Sequence, residues 1–107
     1  MYVLLLRKEV FADVFSGKKT STSRQGKRPV MSHQKLRLIT PDESVSVDTT
    51  VKSVTYCKFD ELSLEEAIKE GYSSVEEMKE VLKGIYDIDK DDNFTLIEFE
   101  LPKELKR

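Results

Sequence analysis

The order of elements in this chain predicts an α+β fold. The sheet should be mixed, mostly antiparallel and curled into a small β-barrel, with one early helix and two late helices. Three observations point there. Short strand-like segments follow one another through short turns, as neighbouring antiparallel strands do. In SVSVDTTVKSVTYCKF, residues 44–59, Val45, Val47 and Val51 lie in odd phase, whereas Val54 and Tyr56 lie in even phase. That one-residue slip near Lys52–Ser53 marks a bulge or corner of the kind that bends barrel strands. Finally, Ser63 with Glu66 and Ser73 with Glu76 form two successive capping boxes ahead of helical patterns.

The elements follow in order. YVLLLR at 2–7 is short and apolar and reads as a buried strand. KEVFADVFSGKK places Val10, Phe11, Val14 and Phe15 on one helical stripe. Gly17 sits where a C-terminal glycine belongs, and Lys18 and Lys19 suit the negative end of the helix dipole. TSTSR is strand-compatible, and QGKRPVMS reads as a loop through Gly26 and Pro29. KLRLIT at 35–40 alternates as a strand, PDES turns, and residues 44–59 supply one long strand or two. LEEAIKEG and VEEMKEVLKGIY are the late helices, the second with a core stripe of Val75, Met78, Val81, Leu82 and Ile85. DIDKDDN looks like a calcium loop at a glance but lacks its glycine and its terminal bidentate glutamate. NFTLIEFEL at 93–101 closes the sheet, and PKELKR is a charged tail.

With 107 residues the chain fits a single domain, 1–107. No apolar run approaches the ~20 residues of a membrane helix, and no export signal is evident, so a cytoplasmic location is expected. Cys57 is the only cysteine, which excludes an intramolecular disulfide and a CxxC metal site. The net charge of −2 hides an asymmetry. Between Val14 and Pro41 lie Lys18, Lys19, Arg24, Lys27, Arg28, Lys35 and Arg37, with no acidic residue among them. A globally acidic protein can thus present an anion-attracting face.

Within that basic stretch, GKKTSTSR at 17–24 carries the chemistry. An alcohol is a useful nucleophile only beside a base, and a lysine can serve if burial or a neighbouring cation lowers its pKa. A generic anion site of cations, hydroxyls and backbone N–H groups is the competing reading. A Walker loop is excluded, since the second glycine and the following helix are missing. Strict strand alternation sets Lys19 and Thr22 on opposite faces, and a helix-to-strand junction after Gly17 would relax that.

The pattern Gly17-x-Lys19-x-x-x-x-Arg24, placed after a helix that follows the first strand, resembles the GxKxxxxR signature of the ASCH domain family. The segment DELSLEEAIKEGY at 60–72 and the closing FTLIEFEL are similar to the family's later elements, so the resemblance runs from Tyr2 to Leu101. It implies a PUA-like barrel with the helices at its rim, and a nucleoside or RNA as partner. A small bacterial branch of that family removes the acetyl group of N4-acetylcytidine without metal or other cofactor. By resemblance to that branch, Lys19 and Thr22 of KTST and Glu70 of AIKEGY are the catalytic residues, and Arg24 is the motif arginine. Thr22 would attack the acyl carbonyl, Lys19 would take its proton, and Glu70 would serve the departing amine. Tyr72, beside Glu70, is the tyrosine best placed to stack on a base. His33, the lone histidine, is a candidate ligand contact. The chain departs from the family at His33-Gln34, where many members carry a Gly-Asp pair. An RNA-binding module, or a ribonuclease, using the basic 18–37 face is the alternative.

Overall fold

The structure, a computed structural model, describes residues 1–102. The charged tail expected at the C-terminus lies, beyond its proline, outside the described residues. The elements are β1 (Tyr2–Leu5), α1 (Phe11–Ser16), β2 (Ser21–Gln25), β3 (Lys35–Ile39), β4 (Ser46–Lys58), α2 (Leu64–Lys69), α3 (Val75–Ile85) and β5 (Asn93–Phe99). One 3₁₀ turn precedes α1 and another precedes α2. The five strands form a mixed sheet in the order β1-β3-β4-β5-β2, curled into a half-barrel. Only β1 and β3 pair in parallel.

The phase slip in the long β-branched run is a β-bulge. Residues 46–58 form one unbroken strand, whose pairing with β5 shifts between Val51 and Ser53. The extra residue lets the N-terminal half of β4 pair with β3 while the C-terminal half continues along β5, which bends the sheet.

β5 is buried on both faces, which is why its sequence is a nearly continuous apolar run. Ile97 and Phe99 join Leu4, Leu36, Leu38, Val47 and Val51 in a cluster under Phe11 and Val14 of α1. Phe94 and Leu96 face the other way, toward Ala67 of α2 and Met78 and Leu82 of α3. Burying each of these larger side chains contributes about 1.5–3 kcal/mol.

Three expectations need correction. First, the N-terminal strand is not buried throughout: Leu4 and Leu6 face the core, but Val3 and Leu5 are 53% and 58% exposed. β1 is an edge strand, so its apolar run serves a core on one side and an open cleft on the other. Second, α3 is capped by Ser74, whose hydroxyl accepts from the Glu77 N–H. Ser73 instead donates to the Glu77 carboxylate through both its N–H and its hydroxyl. The capping contacts therefore lie one residue later than the Ser73–Glu76 spacing implies. Third, only Met78 and Leu82 of the α3 stripe are fully buried, and Ile85 is exposed.

Gly17 ends α1 with φ 85°, a left-handed conformation that side chains resist. Nothing lies within 4 Å of where its Cβ would be, so Gly17→Ala tests the backbone cost alone. It should destabilise the protein by about 1–2 kcal/mol in urea unfolding. Gly84, exposed in α3 and equally unobstructed, should behave oppositely. Gly84→Ala should stabilise by about 0.5–1 kcal/mol, and equal signs for the two variants would contradict the assignment.

Candidate functional site

The end strands of the sheet, β1 and β2, do not pair with each other, and a cavity of about 520 Å³ opens along the seam between them. One parallel and three antiparallel pairings separate the two strands, so they run antiparallel across the gap. The cavity is lined by residues 3–7, by Lys19 and Thr22–Arg24, by Arg28, by Glu70 and Tyr72, and by the last turns of α3.

How Glu70 reaches this cavity follows from the end of α2. A helix leaves its last carbonyls without partners. Here the Gly71 N–H donates to Ile68 O at 3.0 Å and the Tyr72 N–H to Ala67 O at 2.9 Å, a Schellman closure with Gly71 at φ 93°. The next carbonyls are met from β2's entry. The Thr20 N–H donates to Lys69 O at 2.7 Å, and Lys19 Nζ donates to Glu70 O at 3.5 Å. The segment Lys19–Thr20 thus docks onto the C-terminus of α2, a place where a cation is favoured.

That docking buries two opposite charges together. Lys19 is 7% exposed and Glu70 6%, and Lys19 Nζ lies 3.9 Å from Glu70 Oε1. The Ser23 hydroxyl donates to Glu70 Oε2. Burial pushes the Glu70 carboxyl up, against the pull of Lys19, the Ser23 hydroxyl and Arg24. Burial pushes the Lys19 ammonium down; Glu70 opposes this and Arg24 reinforces it. The two shifts draw both groups toward neutral pH, where an amine can accept a proton and a carboxylic acid can give one.

Arg24 fastens the seam. Its Nη2 donates across the gap to Leu5 O at 2.7 Å, while Nη1 donates to Thr22 Oγ1 at 2.6 Å and to Ser23 O at 2.9 Å. One guanidinium therefore ties β2 to β1 and orients the Thr22 hydroxyl.

Lys19, Thr22, Arg24, Glu70 and Tyr72 all line this one cavity. His33 does not: it sits in the loop before β3 with φ 70°, exposed, its N–H donating to Val51 O at 2.8 Å. Sequence reasoning passed over Ser23 as strand chemistry. The signal available was its alternation phase, shared with Lys19, since both reach Glu70. Thr22 and Arg24, of opposite phase, also reach the cavity, because a cleft along an unpaired strand edge receives side chains from both faces. Among the described residues no three His, Cys, Asp or Glu side chains gather as a metal would need.

No family model matches the chain, and no curated protein matches it either. Solved structures do. The ASCH domain from Lactobacillus crispatus JV V101 superposes with a TM-score of 0.78 at 15% identity, covering 94% of this chain and 78% of that one. The chain has the ASCH fold. The ASCH protein of Zymomonas mobilis has the same architecture, with a TM-score of 0.66 at 17% identity over 94% of this chain and 68% of its own. A protein from Enterococcus faecalis V583 matches at 0.71 and 16% identity, over 99% of this chain and 84% of its own. At such identities the likeness to ASCH structures is one of fold. No helix among the described residues of this ASCH-fold chain is long and apolar enough to cross a membrane.

The Glu70 contact has a measurable consequence. A carboxyl raised above its ordinary 4.5 contributes stability that is fully present below that pH and is lost as pH rises through the folded value. Carboxyl ¹³C NMR should therefore find Glu70 titrating above 4.5. Because the Lys19 charge holds it down, Lys19→Met should raise the midpoint further. A lower midpoint in the variant would contradict the contact.

Proposed function

We propose that this chain is an amidohydrolase of the ASCH family that removes the acyl group from the exocyclic amine of an acylated cytidine nucleoside, such as N4-acetylcytidine. The observation that carries this reading is the buried Lys19–Glu70 pair lining the same cavity as an oriented Thr22 hydroxyl.

The chemistry is two acyl transfers. Thr22 Oγ1 attacks the acyl carbonyl while its proton passes to Lys19, whose ammonium has first given a proton to Glu70 within the buried pair. The Arg24 N–H on Thr22 Oγ1 steadies negative charge as it grows on that oxygen. The C–N bond then breaks, and Glu70, holding the proton it took from Lys19, gives it to the leaving amine. The products of this half are the free cytidine and an ester on Thr22. Water, giving its proton to the Glu70 carboxylate, next attacks the ester while the Lys19 ammonium returns a proton to Thr22 Oγ1, releasing the carboxylic acid and restoring the threonine hydroxyl. Ser23 holds Glu70 in place through its hydroxyl, and Tyr72, half-buried on the cavity wall, offers a ring on which the base can stack.

An RNA-binding role is the second reading. Lys18, Lys27 and Lys35 are exposed and without ion pairs among the described residues, which favours a phosphate-attracting surface. Against one continuous face, Lys19, Arg24 and Arg28 turn into the cavity, and Arg37 is held by Asp48. An RNA-binding module would show affinity for single strands that falls steeply with salt.

The deacylase reading predicts that purified protein releases acetate from N4-acetylcytidine. Lys19→Met should lower kcat by about 10²–10⁴-fold while its thermal melt stays cooperative. Absence of turnover across a panel of N4-acylated cytidines would sink the proposal.

A further inference from the structure

The charge of the cavity is at odds with an uncharged substrate. Its lining holds four cations, Arg7, Lys19, Arg24 and Arg28, and one carboxylate, Glu70, in a protein whose net charge is −2. Glu70 is already committed to Lys19 and Ser23. Arg24 is spent on Leu5 O, Thr22 Oγ1 and Ser23 O. Arg28 is different. Its Nε donates to Gln25 O at 2.9 Å, which fixes the direction of the side chain, yet it forms no ion pair among the described residues. Its backbone is fixed as well: the Arg28 N–H donates to Thr95 Oγ1 at 2.9 Å, and Arg28 O accepts from the Tyr56 hydroxyl at 2.8 Å. A guanidinium so anchored, half-buried on a cavity wall and without a counter-charge, is preorganised for an anion.

The position of Arg28 is as informative as its charge. β1 and β2 run antiparallel across the seam and touch where Arg24 meets Leu5. That course carries Arg7 toward Thr22 and Val3 toward Gly26, beside the Gln25 carbonyl that Arg28 Nε binds. From Val3 to Arg7 is roughly 13 Å of extended chain. Lys19, Thr22 and Glu70 therefore lie on one side of Arg24, and the Arg28 guanidinium, tied to Gln25 O, lies on the other. A ligand with its base amine on the first side has room for a second group on the other.

We propose that the site prefers a nucleotide to the free nucleoside: an acylated cytidine monophosphate whose phosphate is held by Arg28 on the side of Arg24 away from Thr22. The identity of the base rests on the deacylase reading; the phosphate rests on the cleft's charge and layout. Arg28 then sets specificity without touching the reacting carbonyl.

Calorimetric titration of the unmodified chain with cytidine, cytidine monophosphate and a short oligocytidylate tests this without any turnover. The monophosphate should bind at least about tenfold more tightly than cytidine, as a charged hydrogen-bonded pair gives. Arg28→Gln should erase that ratio and Arg28→Lys should retain part of it. Arg37→Gln, at an exposed site paired with Asp48 and away from the cleft, should keep the ratio. Equal affinities for cytidine and its monophosphate, or a ratio unchanged in Arg28→Gln, overturn the proposal. An oligonucleotide bound far more tightly than the monophosphate overturns it in favour of a strand. If the phosphate preference stands and no acetate is released, the deacylase reading falls alone. If acetate is released from the nucleoside and the monophosphate binds no better, the phosphate assignment falls alone.

Discussion

The docking of α2's C-terminus onto the Lys19–Thr20 segment is the contact on which the rest of the site depends. It is driven by a general need of helices, which end with carbonyls that must find donors. In this chain the donors come from a segment 49 residues earlier, through the Thr20 hydroxyl and N–H and the Lys19 ammonium. Because Lys69 O and Glu70 O are satisfied there, the Glu70 side chain is delivered to Lys19 and Ser23 rather than to solvent. The burial that follows moves both pKa values in the direction that acid–base work requires.

Placing a charged pair in a small protein's interior is costly, and removing either partner leaves the other buried and unmatched. The protein meets that cost with hydrogen bonds: among the described residues no buried side-chain nitrogen or oxygen lacks a partner. The seam imposes a second constraint. A half-barrel leaves two strand edges open, and open edges invite pairing with other chains. Arg24 spans the gap by binding Leu5 O, which occupies one acceptor of the open β1 edge. The same opening that would be a liability on a flat sheet is here the cavity.

Much of this architecture is legible in the residues, for identifiable reasons. The bulge at Lys52–Ser53 showed as a change of hydrophobic phase, because a strand's period of two records any inserted residue. Gly17 and the Ser63–Glu66 box showed because caps have a local chemistry. The α3 cap was displaced by one residue, since two adjacent serines and two adjacent glutamates offer two equivalent registers and only packing chooses between them. β1 misled because an apolar run looks the same whether its second face meets a core or a cleft. The Lys19–Glu70 contact spans 51 positions and left no local trace; resemblance to a family nominated both residues, and their meeting is a property of the fold. Ser23 shared the alternation phase of Lys19, but nothing local said that this phase meets a carboxylate. His33 attracted notice by being a lone histidine in a basic stretch, which says nothing about where its loop goes.

In the proposed reaction Thr22, oriented by Arg24 and served by the Lys19–Glu70 pair, carries the acyl group between the two transfers. Acid-quenched mass spectrometry of the protein, sampled in the first turnover with N4-acetylcytidine, tests it most directly. The account predicts one acetyl group on the peptide containing Thr22, attached through an ester that hydroxylamine cleaves, and its absence in Thr22→Val. An acetyl group found instead on the Lys19 amine, or turnover sustained by Thr22→Val at the wild-type rate, would contradict it.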